Sequence, residues 1–228
     1  AFIYQPAKVE PVGESIIFDD EAFSRTARQP LAQEFDTVGN DEDANFVAVV
    51  NHFKSKGSVA QGDGDTGDGQ GNNANVRTRQ SEALLKHLTQ QNQWAELPTF
   101  LVGDFNSYTH EDPMLGLYED GYVNLAPEGQ HSYWFDGQAG SLDHVLASPA
   151  AAEAVTGSDI WEINANESVG MEYSRANYNV VDLYAPDQFR ASDHNPALVG
   201  IALSGSDEPS PEPTDPTDPT DPSPEPSP

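Results

Sequence analysis

Two short, almost entirely apolar segments place the strongest limit on what this chain can fold into. Phe46–Phe53 (FVAVVNHF) and Thr99–Val102 (TFLV) are rich in β-branched and aromatic residues and lack the polar alternation of a half-exposed strand. Such segments are typical of strands that are buried on both faces of a sheet. Between them, Val76–Trp94 carries apolar residues at helical spacing. A strand, a helix and a second buried strand predict an α/β fold.

The other predicted elements are shorter. In chain order they are an apolar start at Ala1–Tyr4 that continues at Val9–Val12, a helix at Asp112–Tyr118, and strands at Leu142–Ala147 and Ala197–Leu203. A loop rich in Gly, Asp and Asn, Gly57–Asn75, precedes the long helix, and Asn75 is placed to cap it. Trp161–Val180 has no clean period and is predicted as loop.

A change of composition near Ser204 divides the chain. Residues 205–228 read GSDEPSPEPTDPTDPTDPSPEPSP. Proline has no backbone N–H to donate, and this stretch holds nothing apolar to bury. We therefore predict one folded domain at 1–204 and an extended, disordered acidic linker at 205–228. Because such a spacer usually joins two units, a further segment is expected beyond Pro228.

The overall charge and the missing cysteines exclude several classes. Acidic residues number 38 against 10 basic ones, which gives a net charge of −28, so a broad basic surface for nucleic acid is excluded. With no cysteine, disulfide frameworks, thiolate zinc sites and cysteine nucleophiles are also excluded. No apolar run approaches the roughly 18 residues of a membrane span. The chain starts at Ala1 without a targeting segment, so a processed protein or a fragment is expected.

Polar groups gather at the ends of the predicted strands. Four segments show this pattern: Asn51-His52, Gly103–Asn106, Ser141–His144 and Ser192–Asn195. In α/β folds, ligand binding and catalysis concentrate at strand ends. The pattern therefore predicts a catalytic or binding site at one edge of the sheet.

Asp104 and Asn106 are the first candidates. Residues two apart in extended backbone point the same way, so both side chains would face one site while Phe105 enters the core. A carboxylate can activate water or hold a hard divalent ion, and an amide can orient that water. The alternative is an Asx turn that merely ends the strand.

A histidine–carboxylate pair is the second candidate. His194 can exchange a proton near neutrality, with Asp193 beside it and Asp143 placed to orient its ring. His52 ends a buried strand and is a third candidate, whereas His144 is expected to point away from the site and pack. Structural roles remain the alternatives. The segment with Asp193 and His194 could be a capped loop, and His52 could be a buried histidine with its hydrogen bonds made.

Four bases follow His52 closely in the sequence: Lys54, Lys56, Arg77 and Arg79. Arg77 and Arg79 fall in the first turn of the predicted helix, where a cation opposes the macrodipole. Contact with a phosphate backbone would explain this placement. Pairing with Glu82 or with aspartates of the preceding loop would explain it equally well.

Four motifs together resemble a known family. VNHFKSKG, GDFNSY, SLDHVLAS and SDHNPALVGI, in that order, are similar to motifs of the endonuclease/exonuclease/phosphatase superfamily, the DNase I-like fold. With IYQPAKVEPVG and the Gly-Asp loop, the chain looks most like the large bacterial extracellular nucleases of that group. The resemblance implies a four-layer α/β sandwich with two mixed sheets face to face. It covers about residues 1–203, as the C-terminal two-thirds of a domain.

The resemblance also implies roles. His52 matches a histidine that contacts the scissile phosphate, and Asp104 with Asn106 matches the pair that positions the attacking water. Asp193 matches a divalent-metal ligand, as Asp104 also would be, and His194 matches an imidazole that works with Asp143. Arg28 resembles a phosphate-contacting arginine. The family's N-terminal strands, with their Asn and metal-binding Glu, have no counterpart in this sequence.

These matches imply a secreted, metal-dependent phosphodiesterase that hydrolyses DNA, and RNA as a second substrate. The expected cofactor is Mg²⁺ or Mn²⁺, with Ca²⁺ also considered, and the expected location is extracellular or attached to the cell surface. Two alternatives stay open. One is a phosphatase or phospholipid phosphodiesterase of the same fold, and the other is a non-catalytic, surface-tethered binding module.

Overall fold

The computed structural model describes residues 1–24, 27–39, 44–173 and 180–203. The strands are β1 Val9–Ile17, β2 Arg28–Thr37, β3 Phe46–His52, β4 Thr99–Asp104, β5 Val123–Asn124, β6 Tyr133–Phe135, β7 Gln138–Gly140, β8 Asp143–Ala147, β9 Val155–Ile160 and β10 Ala197–Ile201. The helices are α1 Ala74–Thr89, α2 Asp112–Glu119 and α3 Pro149–Glu153, with short 3₁₀ turns at Asn92–Trp94 and Val169–Met171. The predicted linker at 205–228 lies outside the described residues.

A six-stranded mixed sheet forms the centre, with strand order β1-β2-β3-β4-β8-β5. β3 and β4 are parallel and are joined through α1, while the other neighbours are antiparallel. β9 and β10 form a separate antiparallel pair, and β6 and β7 form a small hairpin. The predicted α/β class is confirmed, with a multi-stranded central sheet as the DNase I-like fold requires.

The main core lies between the sheet and the two longer helices. Val47 and Val49 of β3 and Leu101 of β4 pack with Leu84 of α1 and Leu117 of α2, all fully buried. The strongly apolar character of β3 and β4 therefore reflects their central position. On the other side of the sheet, a smaller cluster extends to β9 and β10.

The long loop before α1 ends in a cap that differs from the prediction. The helix begins at Ala74, so Asn75 lies in its first turn, and its N-cap position is Asn73, which makes no side-chain cap. The carboxylate of Asp63 instead accepts hydrogen bonds from the backbone N–H of Val76 at 2.8 Å and of Asn75 at 3.3 Å. An acid from a distant part of the loop thus satisfies the free helix N–H groups.

Several boundaries also differ. Residues 1–4 form no strand; the rings of Phe2 and Tyr4 pack against Phe35 instead. The long helix ends at Thr89 rather than at Trp94, which falls in a 3₁₀ turn. The predicted loop Trp161–Val180 contains only such a turn among its described residues. No helix in the described ranges has the length and apolarity needed to span a membrane.

Candidate active site

The sheet register sets four predicted site residues side by side across neighbouring strands. Arg28 of β2 pairs with His52 of β3, His52 pairs with Asp104 of β4, and Asp104 pairs with Asp143 at the start of β8. Directly paired residues on adjacent strands present their side chains on the same face of a sheet. The register therefore lines up an arginine, an imidazole and two carboxylates at one edge.

His194 reaches the end of this row from the segment before β10. Its Nδ1 lies 2.6 Å from Oδ2 of Asp143, which also accepts a hydrogen bond from Ser132 Oγ at 3.0 Å. Because a carboxylate only accepts, Nδ1 of His194 carries the proton and Nε2 is left facing outward. That Nε2 lies 3.8 Å from Oδ1 of Asp193. The structure thus brings Asp143, His194 and Asp193 together.

At the other end of the row, Arg28 and His52 interact directly. Nη1 of Arg28 lies 3.3 Å from Nε2 of His52, which makes that nitrogen the acceptor. The same Nε2 lies 3.7 Å from Oδ2 of Asp104. Arg28 is exposed, so its remaining donors face solvent beside these two groups.

The turn after β4 fixes the carboxylate and the amide relative to each other. Backbone N of Asn106 donates to Asp104 Oδ1 at 2.7 Å, and Asn106 Nδ2 donates to Asp104 Oδ2 at 3.1 Å. Gly103 has φ of 122°, and a Cβ there would lie 2.2 Å from the carbonyl oxygen of Asn51, so no other residue fits. Asn106 adopts the left-handed region, with φ of 49°. Phe105 enters the core as expected.

The environments of the acidic and basic groups shift their pKa values in different directions. Burial, and then the negative charge of Asp143, raises the pKa of Asp104 to about 6. Burial and the charge of Arg28 lower the pKa of His52. Burial alone would also lower the pKa of His194, but the hydrogen bond and charge of Asp143 outweigh it, and the pKa is raised. Near neutrality, a proton acceptor and a proton donor therefore coexist, which is the arrangement that acid–base chemistry needs.

The β6–β7 hairpin packs against His194 and was not identified from the sequence. The Tyr133 ring lies 4.7 Å from the His194 ring, and it stacks on Phe135 at 6.0 Å with an interplanar angle of 8°. Phe135 is 55% exposed. The turn Asp136-Gly137 has positive φ at both residues, and this Asp-Gly pair was the available hairpin signal.

Open cavities flank the hairpin. One of about 530 Å³ is lined in part by Tyr108 and Ser141. Another, of about 630 Å³, is lined by Trp134, Phe135 and Asp193, among others. The candidate site therefore has space on two sides rather than a single closed pocket.

The structure removes Arg77 and Lys56 from the predicted phosphate-binding set. Arg77 has no exposed surface, and its Nη2 lies 3.1 Å from a carboxylate oxygen of Glu111. Lys56 Nζ lies 2.6 Å from the other carboxylate oxygen of Glu111. Internal pairing, the alternative raised by the sequence, is what the structure contains, although the partner is Glu111 rather than Glu82 or a loop aspartate.

Lys54 and Arg79 are not brought into the row either. Lys54 is buried, and its ammonium donates to Ser58 Oγ at 2.9 Å. Arg79 is exposed on α1, beside a cavity whose other charged residues include Asp20 and Glu82. Of the predicted cationic contacts, Arg28 is the one the structure places beside the site.

The predicted metal ligands do not form a complete site. Within the described ranges, no group of three or more His, Cys, Asp or Glu side chains could hold a metal ion. Asp104 and Asp193 are oxygen donors of the kind that Mg²⁺ prefers, and such an ion is commonly held by one or two carboxylates, with water and substrate phosphate completing its shell. These two side chains are therefore compatible with a bound metal, which would polarise the phosphoryl group, although they do not enclose one by themselves. The chemistry below is derived from the side chains of the protein.

A model of the Endonuclease/Exonuclease/phosphatase family matches residues 21–194, a span that contains the whole row and His194. The chain belongs to this family. Enzymes of the family are hydrolases, namely nucleases and phosphatases, and typically use divalent metals. No curated protein matches the chain at the sequence level.

Several solved structures share the fold at low identity. A conserved protein of unknown function from Enterococcus faecalis V583 is 16% identical, with a TM-score of 0.53, and the match covers 88% of this chain and 69% of that one. A mannosyl-6-phosphatase from Bacteroides thetaiotaomicron is 14% identical, with a TM-score of 0.52 and the same coverage. A family protein from Bacteroides vulgatus is 13% identical, with a TM-score of 0.53, covering 88% and 68%.

Proposed function

We propose that this chain hydrolyses phosphodiester bonds in DNA, and in RNA as a second substrate, by attack of an activated water on phosphorus. The observation that carries the proposal is the hydrogen bond from His194 to Asp143, set at the end of the row Arg28–His52–Asp104–Asp143. A base, an acid and a phosphate-binding cation then share one edge of the sheet, as a hydrolase requires.

The side chains divide the reaction among them. Above pH 6 the Asp104 carboxylate accepts a proton from the water that attacks phosphorus, and Asn106 holds that carboxylate in place. His194, whose protonated form is favoured by Asp143, donates from Nε2 to the oxygen of the departing ester. Arg28 neutralises charge on the non-bridging phosphoryl oxygens, and His52 lies between Arg28 and Asp104.

Two features favour a nucleic acid over a phosphomonoester or a phospholipid. The parallel rings of Tyr133 and Phe135 lie next to His194, and exposed aromatic faces of this kind stack nucleobases. Cavities on both sides of the hairpin leave room for a polymer to continue past the reacting phosphate. The strongly acidic charge of −28 requires that binding rely on these local contacts, and on Arg28, rather than on the whole surface.

A phosphatase of the same fold is the second candidate, because a solved mannosyl-6-phosphatase covers 88% of this chain. We also propose, from the acidic charge and the Pro-rich stretch at 205–228, that the protein acts outside the cell or attached to its surface. Dependence on Mg²⁺ or Mn²⁺ stays a prediction, since the described donors do not complete a site.

Plasmid nicking tests the proposal. Supercoiled DNA is incubated with the chain in Mg²⁺ or Mn²⁺, with and without chelator, beside a phosphorylated sugar and a phospholipid. His194→Ala is compared with Lys86→Ala, an exposed side chain on α1 that lies outside the row and does not line either cavity beside the hairpin. Nicking that survives in Lys86→Ala and disappears in His194→Ala supports a nuclease. Turnover of the phosphorylated sugar alone supports the phosphatase. No turnover of any substrate by either the native chain or His194→Ala supports a binding module, and equal turnover by the two would refute the role of His194.

A further inference from the structure

The turn that carries Asp104 and Asn106 contains two residues at positive φ. They are Gly103, at 122°, and Asn106, at 49°. Glycine adopts such backbone freely and asparagine tolerates it, so the bonds around the turn are what keep it in one geometry. One end of the turn is held by β4 and by Phe105 N, which donates to the carbonyl oxygen of Leu142 at 2.9 Å.

The other end is held through Ser107, which has no exposed surface. Its hydroxyl accepts a hydrogen bond from Nε of Arg77 at 3.0 Å, and its carbonyl oxygen lies 2.9 Å from Nε2 of His144. Because a carbonyl only accepts, Nε2 of His144 is the donor. Ser107 is therefore bonded from α1 on one side and from β8 on the other.

Both donors are themselves fixed. Arg77 is fully buried and pairs with Glu111 at 3.1 Å. His144 is 1% exposed, and its Nδ1 lies 3.2 Å from Nδ2 of Asn124. Neither side chain has surface with which to meet a substrate. Their shared contact is with the residue that follows Asn106.

We propose that Arg77 and His144 are positioning residues that clamp Ser107 and so hold the Asp104–Asn106 turn in its active geometry. The clamp gives Arg77 a role in catalysis that involves no contact with phosphate. It also gives the imidazole of His144 a task distinct from that of its neighbour Asp143. The catalytic half of this proposal rests on the phosphodiesterase function proposed above.

Three variants and one control test the clamp. Ser107→Ala removes the hydroxyl and leaves the Arg77–Glu111 pair intact, whereas His144→Phe removes the donor and keeps a planar ring. His144→Gln restores an N–H donor. Ser81→Ala is the control, because Ser81 is also buried, on the same helix as Arg77, and its hydroxyl donates to Pro113 O at 2.7 Å.

The first measurement is amide hydrogen exchange in the peptide spanning residues 104–108, which needs no activity. Loss of one hydrogen bond is expected to speed local exchange about fivefold in Ser107→Ala and in His144→Phe. His144→Gln should recover most of the protection, and Ser81→Ala should leave this peptide unchanged. Native exchange rates in both clamp variants would overturn the proposal.

The second measurement is steady-state phosphodiester cleavage well below each melting temperature. We expect kcat to fall about fivefold or more in Ser107→Ala and His144→Phe with KM unchanged, to recover in His144→Gln, and to stay native in Ser81→Ala. Faster exchange with native kcat would overturn the positioning role. If the native chain cleaves no phosphodiester, the proposed function fails, and the exchange data still decide whether the clamp exists.

Discussion

Replacing Asp104 by Asn should make the protein more stable while abolishing its activity. The side chain is 20% exposed, and burial together with Asp143 raises its pKa from 3.8 to about 6. An ionised Asp104 is therefore a cost to the folded state at neutral pH. Asn has nearly the same shape and carries no charge.

The size of the stability gain follows from the pKa shift of Asp104. About two pKa units at 1.36 kcal/mol each give on the order of 3 kcal/mol at pH 7. Part of this stability gain is lost again. In the native chain, Nδ2 of Asn106 donates to Asp104 Oδ2, whereas in the variant the amide NH₂ of residue 104 faces that donor. Losing that hydrogen bond costs about 1 kcal/mol. The expected net gain is about 2 kcal/mol, or a rise in melting temperature of about 5 °C.

The gain should depend on pH in a defined direction. A carboxyl group whose folded pKa is raised contributes stability that is fully present below its unfolded pKa and is lost as pH rises through the folded value. The difference between variant and native chain should therefore be largest at pH 7 to 8. It should shrink below pH 6 and reach zero or slightly below it near pH 4, where Asp104 is protonated in the folded chain and about half protonated in the unfolded one.

Urea unfolding at pH 4, 5, 6, 7 and 8, in chelator and at constant ionic strength, measures the difference in unfolding free energy between Asp104→Asn and the native chain. Asp159→Asn serves as the control, because Asp159 is an exposed acid on β9 and its replacement should change the unfolding free energy by less than about 0.5 kcal/mol. A variant that is less stable than the native chain at pH 7, or a gain that does not change with pH, would refute the reasoning.

Three further predictions follow from the same structure. Glu111→Gln leaves the buried Arg77 and the half-buried Lys56 without their counter-ion, so we expect a loss of about 3–5 kcal/mol and a melting temperature lower by about 10 °C in a calorimetric scan. A change of under about 2 °C would contradict this. Asp143→Asn removes the charge that raises the pKa of both Asp104 and His194, so both limbs of the pH–rate profile should move to lower pH. A profile identical to that of the native chain would show that other groups control the rate. Phe135→Ala should lower kcat/KM about tenfold on an oligonucleotide with bases and leave cleavage of an abasic strand unchanged. The control Trp161→Ala removes an equally exposed ring and should alter cleavage of neither strand. Equal losses on both strands would argue against base stacking.

The parts of the fold that follow from local sequence were predicted well. Phe46–Phe53 and Thr99–Val102 correspond to the central strands β3 and β4, because a strand buried on both faces must be apolar throughout. β2 was missed because its sequence, RQPLAQEFDT, mixes polar and apolar residues without regular alternation and contains a proline. Its buried Gln33 satisfies its amide on the carbonyl oxygens of Val12 and Glu34, which only the folded neighbours provide.

The candidate site was predictable where it depends on strand ends, and not where it depends on distant pairing. The chemistry of Asp104, Asn106 and His194 was visible in their motifs. That Arg28 would lie beside His52 depends on a register that no local pattern specifies. Arg77 was misplaced because its partner Glu111 is 34 positions away, and a helix N-terminus alone cannot reveal it.

The bond between His194 and Asp143 joins two separate sheets. Asp143 begins a strand of the central sheet, while His194 precedes the outer pair β9–β10, and 51 positions of chain separate them. Neither sheet carries the acid–base pair alone. Under the function proposed above, loss of contact between the two sheets would therefore abolish hydrolysis even while the central sheet stays folded.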